Sequence, residues 1–169
     1  PDLYTKVIEF NVEENAKGAN LRPQTTARGI GMIYHLFNRT PWDRSGAWRE
    51  LRSLNREERL AALRDPDRRA RLVADAETAK MLMGYDQLFV LPEGPARYDC
   101  KPEDSLAAHA ARRGKSPAET FIELCLERNG EVNVNYPILN HQLSAVEEML
   151  DMDLVTLGPY AHDRIRHMG

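Results

Sequence analysis

The chain has 169 residues, 42% of them apolar and 29% charged, with a formal net charge of −3, the make-up of one ordinary globular domain with room for a real core. That charge balance gives no electrostatic case for nucleic acid or an anionic lipid surface. No run of about 18 apolar residues is present to cross a bilayer.

The chain starts at Pro1 with a helical pattern and neither Met nor signal peptide, which reads as a cut amino end. Asp2 suits an N-cap, and Leu3, Val7, Ile8 and Phe10 give a face for a helix to about Ala16, closed by Gly18 at the left-handed position. Leu21 to Thr26 then reads as a strand, with Pro23 near its start, where a missing N–H is tolerated. Gly29-Ile30-Gly31 is a weak dinucleotide signal, because the third glycine position holds Tyr34.

From Asn38 to Asn129 the pattern is helical. Trp48, Leu51 and Leu54 mark a short helix. Asn55 with Glu58 reads as an N-cap with its N3 carboxylate before Leu60 and Leu63, and Asp65-Pro66 opens a third helix through Leu72, Val73 and Ala76. The arginines here alternate with nearly as many carboxylates, which describes a solvated, ion-paired helical face and not an RNA surface. Gly84 to Pro102 reads as an irregular link. Asp104 or Ser105 caps Leu106 to Arg113, stopped by Gly114. Ser116-Pro117-Ala118-Glu119 is a capping box with Pro at N1, and its helix stops at Asn129-Gly130.

The stretch Glu131–Gly158 reads as strand, helix, strand. Val132, Val134 and Tyr136 alternate, Pro137 breaks the strand, Leu143, Val146, Met149 and Leu150 form an apolar stripe, and Leu154–Leu157 is a short buried strand. A βαβ unit makes a parallel pair covered by its helix. The pattern predicts that chemistry sits past the carboxyl end of its last strand, from Gly158 onward.

Titratable groups do not converge in sequence. His35, His109, His141, His162 and His167 fall in no zinc spacing, and no GxSxG nucleophile is present. Cys100 and Cys125 sit in no CxxC or Cys/His pattern and read as two reduced thiols, which suits a cytoplasmic protein.

The runs Leu21-Arg-Pro-Gln-Thr-Thr-Ala-Arg-Gly-Ile-Gly31, Val134-Asn-Tyr-Pro137 through Met149-Leu150, and Leu154-Val-Thr-Leu-Gly158 resemble the amidohydrolase superfamily, in its branch of N-acyl-D-amino-acid deacylases. Trp48-Arg49, Leu63-Arg-Asp-Pro66 and Arg113-Gly-Lys-Ser-Pro117 carry the likeness through the middle of the chain. The resemblance implies an α/β fold, part of a (β/α)8 TIM barrel at about strands seven and eight, with a large helical insertion. Residues 1–37 would be barrel helix and strand seven, 38–129 the insertion, 130–158 the βαβ return to the barrel, and 159–169 a divergent tail. A complete barrel needs about 250 residues, so the chain reads as an internal fragment.

The same resemblance implies a metal-dependent enzyme that hydrolyses the amide of N-acyl-D-amino acids. Zinc is expected for the intact enzyme, but no metal ligand is recognisable in this chain. Gln24, Thr25, Thr26 and Arg28 are the expected substrate-binding residues. The family's catalytic aspartate follows strand eight in a Leu-Gly-x-Ser-Asp-Ala-Gly pattern. Here Ala161 stands in its place and Asp163 comes two residues late, so no catalytic residue is assigned, and the chain alone is expected to be inactive. Expected partners are a small N-acyl amino acid and, through exposed barrel strands, further copies of the chain; nucleic acid and membrane are not. The alternative is a non-catalytic helical interaction module, or a decayed gene fragment.

Overall fold

The computed structural model describes residues 3–27, 29–81, 83–94, 100–140 and 142–157. In chain order these form α1 (Leu3–Ala16), β1 (Gln24–Thr25), β2 (Ile30–His35), α2 (Gly46–Ser53), α3 (Arg56–Arg64), α4 (Pro66–Thr78) and β3 (Phe89–Val90). There follow α5 (Leu106–Arg113), α6 (Pro117–Glu127), β4 (Asn133–Leu139), α7 (Leu143–Leu150) and β5 (Thr156–Leu157), with single 3-10 turns at Tyr85–Gln87 and Pro102–Asp104. No described helix is long and apolar enough to cross a membrane.

The chain divides into two compact units, one formed by Pro1–Ile30 with Ile138–Gly169, the other by Gly31–Pro137. The second holds the helices α2–α6, and their starts are set by local chemistry. Asn55 Oδ1 accepts the Glu58 N–H and Glu58 Oε2 accepts the Asn55 N–H, each at 3.0 Å. Asp65 Oδ1 accepts from Arg68 N at 2.9 Å ahead of Pro66, and Ser105 Oγ accepts from Ala108 N at 3.1 Å. Each such cap satisfies backbone donors that the first turn leaves orphaned, and is worth about 1 kcal/mol. Gly114 closes α5 at φ +63°, and Asn129 and Gly130 turn the chain after α6 at φ +49° and +87°, conformations that Gly and Asn tolerate best.

The core of this unit is aromatic. Trp42 and Trp48 lie 4.6 Å apart between ring centroids, and Phe121 meets Trp42 edge-on at 5.4 Å. All three are fully buried. Both indoles have hydrogen-bond partners, Trp48 Nε1 donating to Leu72 O at 2.9 Å and Trp42 Nε1 to Tyr85 Oη at 3.1 Å, which removes the cost of burying an unpaired N–H. Arg59 donates to Leu54 O and Leu36 O, each at 2.8 Å, and ties the start of α3 to the loop before α2.

The partial (β/α)8 barrel expected from the resemblance is not the observed fold. The described residues form a mixed α/β structure of seven helices with a small three-stranded antiparallel sheet in the order β2-β4-β3. The physical reason lies in β4. It pairs antiparallel with β3, Phe89 opposite Asn135 and Val90 opposite Val134, and Leu91 N donates to Asn133 O at 2.9 Å. Val132 and Val134 therefore enter the helical core with no exposed surface, and the expected parallel pairing of this strand with Thr156–Leu157 does not form. Pro137 lies inside β4 and does not end it.

In the other unit, β5 pairs in parallel with β1, Gln24 opposite Thr156 and Thr25 opposite Leu157. Thr156 N donates to Pro23 O at 2.9 Å, so Pro23 keeps its useful acceptor while its missing N–H is not called on. α7 buries Val146 and Met149 and leaves Leu143 and Leu150 exposed. Tyr4 on α1 donates to Glu148 Oε2 on α7 at 2.7 Å.

Candidate functional site

An open groove of about 460 Å³ runs through the unit that holds β1 and β5. Its walls are mostly apolar, including Leu3, Val7, Ile138 and Met149, and Gln24, Thr25 and Asn140 supply polar groups. That volume and that mixture are typical of small-molecule sites.

Asn140 organises the polar end. It follows β4 at φ +55°, a left-handed conformation that an Asn side chain tolerates better than most. The turn aims its amide at β1. Nδ2 donates to Thr26 Oγ1 at 3.0 Å, with Thr25 Oγ1 at 3.3 Å and Thr26 O at 3.4 Å. One amide has two hydrogens for these three acceptors, so at least one hydrogen is shared. A hydroxyl that accepts from an amide keeps its own proton to donate. Thr25, 9% exposed and lining the groove, thereby keeps its hydroxyl proton available to donate. Gln24 stands exposed beside it with an amide that both donates and accepts. The Cβ of any residue replacing Gly29 would sit 3.3 Å from Asn140 O, so a small residue is needed there for the Asn140 turn to approach.

Of the four residues expected to bind substrate, Gln24 and Thr25 line this groove and Thr26 holds Asn140 beside them. Arg28 lies outside the described residues. Asn140 was not singled out by the sequence. Its signal was available only as an Asn directly after an apolar strand end, a position that also serves ordinary turns.

The remaining titratable groups occupy structural places. Phe37 N donates to His35 Nδ1 at 3.2 Å, and His35 Nε2 meets Glu131 Oε2 at 3.3 Å, so both ring nitrogens are engaged. Burial and then Arg56 push His35 below the usual imidazole range. His109 on α5 is pushed the same way by burial and by Arg112, Arg113 and Arg128. Burial drives the Cys125 thiol strongly upward, which leaves it unreactive. Cys100 accepts a hydrogen bond from buried Asn135 Nδ2 at 3.5 Å. A second cavity of about 440 Å³ between α4 and α6 is lined by Arg69, Glu77, Lys115, Glu119 and Glu123. Lys115 and Arg113 already neutralise Glu123, and Glu119 is occupied as the cap of α6, its carboxyl held low by the Ser116 backbone N–H.

His141, His162, Asp163 and His167 lie outside the described residues. Among the described residues no three His, Cys, Asp or Glu side chains converge in a way that could hold a metal ion. The resemblance expects zinc in the intact enzyme and assigns none of its ligands to this chain, so no chemical step is routed through zinc on these residues. Comparison with protein-family models, with curated proteins and with solved structures finds no match for this chain.

Proposed function

We propose that the chain supplies part of the substrate-binding surface of a metal-dependent amidohydrolase that cleaves the amide of N-acyl-D-amino acids. The supporting observation is the groove in which Asn140 orients Thr25 beside Gln24 against apolar walls. An acyl chain suits the apolar part, and the Thr25 hydroxyl suits a substrate carbonyl or carboxylate. The reaction adds water across the amide and releases a carboxylic acid and an amine. No catalytic residue or metal ligand of the resembled family is assigned within these 169 residues, so the chain alone is expected to be inactive. Two free thiols suit a cytoplasmic setting.

The test is a titration of the purified chain with N-acetyl-D-leucine, followed by amide NMR. Saturable shifts at Gln24, Thr25 and Asn140 are expected, weakened several-fold by Thr25→Val or Asn140→Ala. No shift at high ligand in a folded chain removes the substrate role. Release of free leucine above a chelator-treated control overturns the assignment of inactivity.

One observation favours a second reading, a non-catalytic helical interaction module. The Gly31–Pro137 unit closes its own core around Trp42, Trp48 and Phe121, and among the described residues none of the exposed large apolar side chains falls within it. A sharp melt of this unit together with a silent ligand titration sides with that reading.

A further inference from the structure

Every large apolar side chain exposed among the described residues falls in Pro1–Ile30 or Ile138–Gly169. α1 carries the clearest set. It buries no residue of its own, and Leu3, Val7 and Phe10 are 79%, 45% and 57% exposed. At about 100° per residue these three lie within about 60° of arc, a single stripe along the helix. The contacts that anchor α1 leave from another side, through Tyr4 Oη to Glu148 Oε2 at 2.7 Å and Asn15 Nδ2 to Leu21 O at 3.0 Å. On the flank away from those anchors stand Lys6 and Glu13, both exposed.

We infer that α1 is a self-pairing surface whose occupant is α1 of a second copy of this chain, running antiparallel, with Phe10 at the two-fold axis. The charges select that arrangement. Lys6 precedes Phe10 by four residues and Glu13 follows it by three, so in an antiparallel pair centred on Phe10 they come within about 1.5 Å of the same level. A two-fold axis sets the same flank of both helices face to face. Lys6 of each copy therefore meets Glu13 of the other, and the contact occurs twice. Glu14 stands next to the same level but is already paired with Lys17 at 2.8 Å, which leaves Glu13 as the partner of Lys6. A parallel two-fold pair would set these flanks on opposite sides of the seam, so Lys6 and Glu13 of the two copies would not meet.

A membrane surface suits the stripe less well. α1 has one Lys against three Glu over Leu3–Ala16, whereas interfacial helices are rich in Lys and Arg. One pair of helices about 21 Å long is smaller than a standard interface of about 1,600 Å², so the dimer is weak, with a dissociation constant of about 10–100 μM. Leu3 and Val7 also wall the candidate groove, so pairing covers part of that wall and competes with a groove ligand.

Sedimentation equilibrium of the full chain tests it. A saturating monomer–dimer equilibrium is expected in that range, weakened at least tenfold by Phe10→Glu. Lys6→Glu and Glu13→Lys should each weaken it about three- to tenfold. The double variant K6E/E13K should return to within about twofold of the starting chain, with helix content checked by circular dichroism throughout. A chain that stays monomeric, that grows without saturation into larger species, or whose double charge exchange is no better than the single ones overturns the pairing.

Discussion

Phe37 fixes the tautomer of His35. Its backbone N–H donates to Nδ1 at 3.2 Å, so the neutral ring carries its proton on Nε2, facing Glu131 Oε2 at 3.3 Å. Protonating the ring would set an N–H at Nδ1 against the Phe37 N–H. Burial and the Arg56 guanidinium also hold the folded imidazole below its usual range. The Glu131 carboxylate pulls the other way, but it is 57% exposed and already paired with Arg56, so burial prevails. An unfolded His takes its proton near about pH 6.5, ahead of the folded one. The stability from His35, and from His109 in the same sense, is therefore complete above that pH and is lost as pH falls through the folded value. The melting temperature should drop between pH 7.5 and pH 5, less steeply in His35→Gln. A flat profile across that interval would show that the ring titrates normally.

Ser116→Ala removes one half of the reciprocal cap on α6. Ser116 Oγ accepts from Glu119 N at 3.2 Å, and Glu119 Oε2 accepts from Ser116 N at 2.9 Å. The expected cost is about 1 kcal/mol, read from urea unfolding. Glu119 is held low by the Ser116 backbone N–H and then by its side chain. Its contribution is present above about pH 4.3 and lost below it, a lower window than the histidines occupy.

Gly130→Ala should destabilise the helical unit by about 1–3 kcal/mol. Gly130 sits at φ +87°, and an added Cβ would overlap the Phe37 ring. That ring is stacked under Arg56, whose guanidinium carbon is 4.0 Å from its centroid. Combining Gly130→Ala with Phe37→Ala should relieve the overlap but not the backbone strain, so the double variant loses less than the sum of the singles in a chemical-denaturation cycle.

Phe121→Ala should cost about 3–5 kcal/mol. The ring is fully buried and touches both Trp42 and Trp48. Tryptophan fluorescence is the fitting probe, because both indoles lie in Gly31–Pro137 and report that unit alone.

Helix starts were legible because their signals are local. Asn55 with Glu58, Asp65 with Pro66, and Ser116 with Pro117 and Glu119 each specify a cap within four residues, and each forms as read. Strand partners were not. Val134 alternates with Val132 and Tyr136 in a way that fixes a strand but names no neighbour, and the nearest parallel candidate was Leu154–Leu157. The partner is Val90, 44 residues earlier, inside a stretch whose prolines and glycines made it read as a link. Ile30–His35 was not read as a strand, because Gly29 before it and Gly31 within it formed a GxG pattern that suits a loop. At the candidate site Gln24 and Thr25 were reached through resemblance. Asn140 was not, since its role rests on a positive φ and on contacts to residues 114 and 115 positions away.

The interior position of Cys125 makes the protein its own stopwatch. With no exposed surface and a thiol pushed far above its usual range, Cys125 can meet a labelling reagent only while the Gly31–Pro137 unit is open. Cys100, half-buried, reacts without waiting for that event. The ratio of the two labelling rates in one trace therefore tracks the opening equilibrium of the helical unit under native conditions, with no denaturant and no introduced probe.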